Sequence, residues 1–219
     1  MKSTIKGVVF DMDGLMFDTE RLTYEIINQT MTQQGFDYSL DFYKQTVAKR
    51  SVDVVAMYKE KFGEDFDYQA MKVKNMEIFW SYTAEKGVPL KKGLFQLLDF
   101  LKENNIKIAL ATSTTRKSAT EILKRAKVID YFDVLLCADS VIKGKPDPEV
   151  FAKACAELGL KPEECMGLED SFNGIISSSE AGLVTVMIPD LIPPTKEIKS
   201  RCYKICNDLT EIYELLKGE

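Results

Sequence analysis

Two aspartates, Asp11 and Asp13, stand two residues apart directly after the apolar run Val8-Val9-Phe10, and Gly14 follows them. Paired carboxylates where a buried strand opens into a loop can do acid, base or nucleophilic work. The glycine permits a tight turn there. Taken alone, D-x-D-G is equally a turn or a fragment of a calcium loop. The full calcium-loop spacing is missing, since no glutamate stands at the required offset after a second acidic triplet.

Three further apolar runs end in polar residues. Ile108-Ala109-Leu110-Ala111 leads into Thr112, Ser113, Thr114 and Thr115, just before a helix expected near Lys117. Hydroxyls and N–H groups at a helix start favour an anion, although an N-cap alone would explain them. Val134-Leu135-Leu136-Cys137 precedes the loop Lys143-Gly144-Lys145-Pro146-Asp147-Pro148, whose lysines would ordinarily be solvated. Cys165-Met166-Gly167-Leu168 ends in Glu169 and Asp170, with Ser171 placed to cap the next helix.

Together, four strand ends deliver carboxylate, hydroxyl, lysine and carboxylate to one sheet edge. Acidic side chains so crowded repel one another unless a hard cation sits among them, and Mg²⁺ is the natural candidate. With a lysine and a helix N-terminus alongside, the complementary ligand is a phosphoryl group.

Composition narrows the chemistry. The 219 residues include no histidine, which removes Ser-His-Asp and Cys-His mechanisms and every His-ligated zinc or non-haem iron site. Against 29 Lys plus Arg stand 34 Asp plus Glu, a net charge of −5 that argues against a broad nucleic-acid surface. The five cysteines include no C-x-x-C pair and are expected to be reduced, mostly buried thiols. The N-terminal run is too short for a signal peptide, and no stretch is apolar enough to span a membrane. A cytoplasmic monomer is expected.

The elements that must position these residues follow from the same runs. Short apolar runs without alternation suit strands buried on both faces. Two more occur, Val184–Ile188 before Pro189 and Tyr203–Cys206 before Asn207. Helical spacing lies between them, as in Leu94, Leu97, Leu98 and Leu101, or Phe151, Ala154, Cys155 and Leu158. Strand and helix therefore alternate from about Lys107, the pattern of a doubly wound parallel sheet with a Rossmann-like α/β core. Such sheets bind ligands at the carboxyl ends of their strands.

From Phe17 to Val88 no strand-like run appears, and the spacing is helical: Tyr24, Ile27 and Met31; Val52, Val55 and Met57; Met71, Met76 and Phe79-Trp80. Gly35 and Gly63 mark stops between helices. A crossover of this length is unusual. The interval 17–88 is therefore expected to be an inserted α-helical cap domain over the strand ends, with 1–16 and 89–219 forming the core domain.

The set Asp11-x-Asp13-Gly14, Thr112 after a strand, Lys145-Pro146 and Glu169-Asp170-Ser171 resembles the haloacid dehalogenase-like superfamily, in its phosphatase and β-phosphoglucomutase-like branch. The resemblance spans the whole chain, and its helical cap falls between the first and second motifs. It implies that Asp11 is a nucleophile forming an aspartyl-phosphate and that Asp13 is the general acid and base. It implies that Thr112, the Ser113 N–H and Lys145 hold phosphate oxygens. Mg²⁺ would be held by Asp11, the Asp13 carbonyl and Asp170, with Glu169 a further or water-mediated ligand.

Two departures from the mutases favour hydrolysis. Their histidine after D-x-D-G-x-x-x-D-T is Thr23 here, and their cap arginine is shifted by one in Ala48-Lys49-Arg50-Ser51. A Mg²⁺-dependent phosphatase acting on a small phosphorylated metabolite is expected, with a phosphosugar mutase and a non-catalytic phosphate-sensing module as alternatives. Lys49, Arg50 and Lys74 are the candidate specificity residues of the cap.

Overall fold

The computed structural model describes residues 5–47, 49 and 51–218. It divides into two compact units, one formed by Met1–Asp18 with Pro89–Glu219 and the other by Thr19–Val88.

The first unit is built on a six-stranded sheet: β1 (Gly7–Phe10), β2 (Lys107–Ala111), β3 (Val134–Leu136), β4 (Cys165–Glu169), β5 (Val184–Met187) and β6 (Lys204–Ile205). Every pairing is parallel, in the order β3-β2-β1-β4-β5-β6. The chain thus runs outward from β1 in one direction and then, from β4, in the other. The reversal lies between β1 and β4, where an open α/β sheet forms its crevice. Phe10 is level with both Leu110 and Leu168, so Asp11 leaves β1 beside the ends of β2 and β4.

Both sheet faces are covered, which is why the strands read as unbroken apolar runs. Val9, Ala109 and Ala111 pack with Val150, Phe151, Ala154 and Leu158 of α7 (Glu149–Leu158). Their neighbours Val8, Phe10, Ile108 and Leu110 are equally buried. Each large side chain so buried contributes about 1.5–3 kcal/mol. α5 (Leu94–Glu103), α6 (Arg116–Arg125), α8 (Phe172–Glu180), α9 (Lys196–Arg201) and α10 (Leu209–Lys217) complete the layers. The five cysteines form no disulfide, and all but the half-buried Cys202 are buried.

The second unit holds α1 (Thr19–Gln33), α2 (Leu40–Thr46), α3 (Ser51–Phe62) and α4 (Tyr68–Lys86). Ser39 and Asp67 cap α2 and α4 by accepting from Phe42 N–H and Ala70 N–H. Gly35 and Gly63, at φ +83° and +107°, follow α1 and α3, as their helix-stopping character predicts. The interior is an aromatic cluster of Phe36, Tyr38, Phe42, Tyr58, Phe62 and Phe66. The buried Tyr38 and Tyr58 hydroxyls share a 2.5 Å hydrogen bond.

Helical register here differs from the spacing read in sequence. Val52 and Met76 are 66% and 46% exposed, while Val54, Tyr58, Met71 and Phe79 face the interior. Leu22 and Ile26 join Ile27 and Met31 on the buried side of α1.

Phe17 and Asp18 belong with the sheet unit. Phe17 makes an antiparallel bridge to Leu90, and Asp18 N–H donates to the Pro89 carbonyl at 2.9 Å. The chain thus leaves for and returns from the helical unit through hydrogen-bonded neighbours. No helix among the described residues is long and apolar enough to cross a membrane.

Candidate active site

The turn after β1 carries the first motif. Asp11 N–H donates to the Leu168 carbonyl at 3.0 Å, which ties the aspartate to the end of β4. Gly14, at φ +83°, accepts the turn that brings its N–H to the Phe17 carbonyl. A Cβ on Gly14 would stand 2.3 Å from Asp170 Oδ2, so a side chain here would displace that carboxylate.

Lys145 is the centre of the buried charge. Its Nζ donates to Asp11 Oδ1 and to Glu169 Oε1, both at 2.5 Å, and lies over the Phe151 ring. All three side chains are nearly or fully buried. The lysine-bearing loop is anchored from two helices. Glu149 on α7 accepts from the N–H groups of Ile142 and Lys143, and Ser177 on α8 donates to the Asp147 carbonyl. Burial works against the charge of Lys145, but Asp11 and Glu169 outweigh it and raise its pKa above the ordinary value.

Glu169 has little acceptor capacity left. Besides Lys145 on Oε1, its Oε2 accepts from Asp170 N–H, Ser171 N–H and Ser171 Oγ at 3.0–3.1 Å. Ser171 also caps α8 by accepting from Gly174 N–H. Gly174 is required by this packing, because a Cβ there would lie 1.8 Å from the Glu169 carboxylate.

The hydroxyl cluster after β2 is divided in its roles. Thr112 is buried, and its Oγ1 accepts from Thr114 N–H, leaving its own proton to donate elsewhere. Ser113 is exposed. Thr114 donates to Asp13 Oδ2 at 2.8 Å and so fixes the second aspartate of the motif.

Asp11, Glu169 and Asp170 offer carboxylate oxygens that all lie within 4.8 Å of one another. Burial lifts the Asp11 carboxyl to about 8, with Lys145 opposing and Glu169 and Asp13 adding to the rise. Burial and the neighbouring carboxylates thus disfavour the charged form of Asp11, which a cation among these oxygens would favour. An all-oxygen, carboxylate-rich donor set fits a hard divalent cation such as Mg²⁺.

Of the residues singled out in sequence, Asp11, Glu169, Asp170 and Lys145 come together at this sheet edge, with Asp13 and Thr112 on the adjoining turns. Lys49 lies between α2 and α3 and is exposed, Lys74 is exposed on α4, and Arg50 lies outside the described residues. Four contributors escaped the sequence reading: Thr114 as the partner of Asp13, Gly174 as the seat of Glu169, and the pair Lys91 and Asp190. Asp190 is the first charged residue after the β5 run, past Ile188 and Pro189, so the strand-end rule finds it.

Known proteins share this fold and its family. A family model of haloacid dehalogenase-like hydrolases matches residues 8–188. A phosphorylated carbohydrates phosphatase of Thermotoga maritima is 32% identical over 187 residues, covering 82% of each chain. A beta-phosphoglucomutase of Bacillus subtilis is 29% identical over 188 residues, covering 83% of this chain and 82% of that one. A solved Thermotoga maritima structure superposes with a TM-score of 0.82 at 27% identity, over 98% of this chain and 99% of that one. The ordered strand-end motifs, the parallel sheet and these matches lead to one assignment: the chain belongs to the haloacid dehalogenase-like hydrolase family.

Proposed function

We propose that the protein is a Mg²⁺-dependent phosphatase that hydrolyses a small phosphorylated metabolite through an aspartyl-phosphate on Asp11. The observation that carries this reading is the setting of Asp11: buried at the crevice of the sheet, one oxygen on Lys145, Asp170 beside it, and Asp13 two residues on. The ionised Asp11 attacks phosphorus as the ester oxygen departs. Asp13, oriented by Thr114, protonates that oxygen and later takes a proton from the water that cleaves the acyl phosphate. Thr112, the Ser113 N–H and Lys145 hold the non-bridging oxygens, whose charge grows in the transition state.

Asp11, the Asp13 carbonyl and Asp170 would hold Mg²⁺, with Glu169 behind them. When bound, the ion neutralises charge on the phosphoryl group. Glu169, saturated by four donors, acts chiefly by fixing Lys145 and the Asp170 backbone. The helical unit supplies substrate choice, through Lys49, Arg50 and Lys74. Lys49→Ala should raise KM for a sugar phosphate more than for p-nitrophenyl phosphate, and equal effects would count against that role.

The test of the activity is phosphate release from p-nitrophenyl phosphate with Mg²⁺. The wild-type chain should turn over and Asp11→Asn should not; equal rates would sink the assignment. The Bacillus subtilis relative keeps a mutase as the second reading. The absence of histidine and the shifted cap arginine argue for hydrolysis. Offered β-glucose 1-phosphate with a trace of the 1,6-bisphosphate, the protein should release phosphate faster than it forms glucose 6-phosphate. The reverse order would establish the mutase.

A further inference from the structure

One buried carboxylate next to this site has no part in the mechanism above. Asp190 follows β5, and its side chain is only 5% exposed. Its Oδ1 accepts from Lys91 Nζ at 2.6 Å, whereas Oδ2 is buried with no hydrogen-bond partner among the described residues. Buried polar atoms are almost always paired, so an orphan oxygen marks a place where a donor belongs.

The direction of that oxygen identifies the donor. Asp190 Oδ2 is 3.4 Å from the point where a Cβ on Gly14 would stand, and Asp170 Oδ2 is 2.3 Å from the same point. The two oxygens are no farther apart than those distances laid end to end, a gap that one water bridges. Lys91 also donates to Asp18 at 2.9 Å, so its charge is divided between two carboxylates. Two carboxylates facing each other repel unless a polarised donor lies between them.

We propose that Asp190 is a positioning residue of the divalent-cation site, its Oδ2 accepting a hydrogen bond from a water held by the cation that Asp11 and Asp170 bind. This rests on the Mg²⁺ reading given under Proposed function. Lys91 occupies Oδ1, which leaves Oδ2 near Gly14 as the open acceptor. Groups that orient a metal's ligands in this way change its affinity by about 10–100-fold when removed.

The experiment is a calorimetric titration of the full chain with MgCl₂, without substrate. In Asp190→Asn the amide oxygen stays on Lys91, and the NH₂ group, a donor, faces the water. Mg²⁺ should bind about tenfold more weakly. Asp190→Ser, which shortens the side chain, should show the same loss and serves if the asparagine variant does not fold. Lys91→Met leaves the carboxylate in place and adds net negative charge, so its affinity should equal or exceed that of the wild type.

Opposite responses of the two sites support the proposal. Affinity of the Asp190 variants within about twofold of the wild type, or equal weakening in Lys91→Met, would reduce the pair to a structural clamp and overturn it. Absence of Mg²⁺ binding by the wild-type chain would instead remove the metal reading itself, and this proposal with it.

Discussion

Two lysines in the sheet unit each bridge two carboxylates, and they do so differently. Lys145 joins Asp11 and Glu169 at 2.5 Å to each, with all three side chains nearly or fully buried, and Glu169 takes three further donors. Lys91 joins Asp18 and Asp190 with its own side chain 23% exposed, and Asp190 Oδ2 has no partner among the described residues. In the first cluster Glu169 has donors on both oxygens. In the second, Asp190 has a donor on Oδ1 alone among the described residues. Burial opposes the charge of both lysines, and in both the paired carboxylates win. What separates them is how fully the carboxylates are satisfied, not whether a salt bridge is present.

The sharpest way to break the contrast is Lys145→Met. It strands two buried carboxylates, and removing one partner of such a set costs about 3–5 kcal/mol. Urea denaturation without divalent cation measures it, and a loss under about 1 kcal/mol would mean that the cluster behaves as a surface pair. Next in size is Gly174→Ala. Alanine would ordinarily gain up to about 1 kcal/mol over glycine within a helix, yet here its Cβ collides with Glu169. Overpacking should turn the gain into a loss of about 1–3 kcal/mol, by the same measurement, and a stabilised variant would show that Glu169 is free to move.

Lys91→Met should cost less, about 1 kcal/mol, because solvent reaches that lysine. A loss as large as that of Lys145→Met would erase the distinction between the clusters. The smallest effect concerns the loop that carries Lys145. Glu149 is held down at about 2, from an ordinary 4.5, by the Lys153 side chain first and then by the Lys143 and Ile142 N–H groups. A carboxylate with a lowered folded pKa stabilises fully above its unfolded value and loses that contribution as pH falls through the folded one. Wild type should therefore exceed Glu149→Gln in stability at neutral pH, with the difference closing as pH falls from about 4.5 to about 2. A pH-independent difference would show that the carboxylate charge is not what holds the loop.

The sequence shows the sheet more clearly than the helical unit, for a physical reason. Strands covered on both faces exclude polar residues until the chain emerges, so Asp11, Thr112 and Glu169 stand out as the first polar groups after each run. Asp190 does so too, but its meaning depends on Lys91, which lies 99 positions away and on a connection rather than a strand. Gly174 reads as one more residue of a helix, because only folding brings Glu169 against it. In the helical unit Gly35 and Gly63 display the breaks, but not which sides face inward. On α3, Val52, Val54, Val55, Met57 and Tyr58 are crowded so closely that periodicity selects no face, and packing against the aromatic cluster decides for Val54 and Tyr58.

The bond between Asp18 and Pro89 has a consequence for how the chain can be altered. The sheet unit closes its own seam where the helical segment begins and ends. To its host, residues 19–88 are therefore a loop whose ends are already joined. The entropy of such closure grows by only about 0.6 kcal/mol for each doubling of length. The segment is a cassette: a short turn from Asp18 to Pro89, or a foreign helical insert, should leave the strand-end carboxylates where they are. Reaction chemistry and the inserted segment can thus be redesigned separately in one polypeptide.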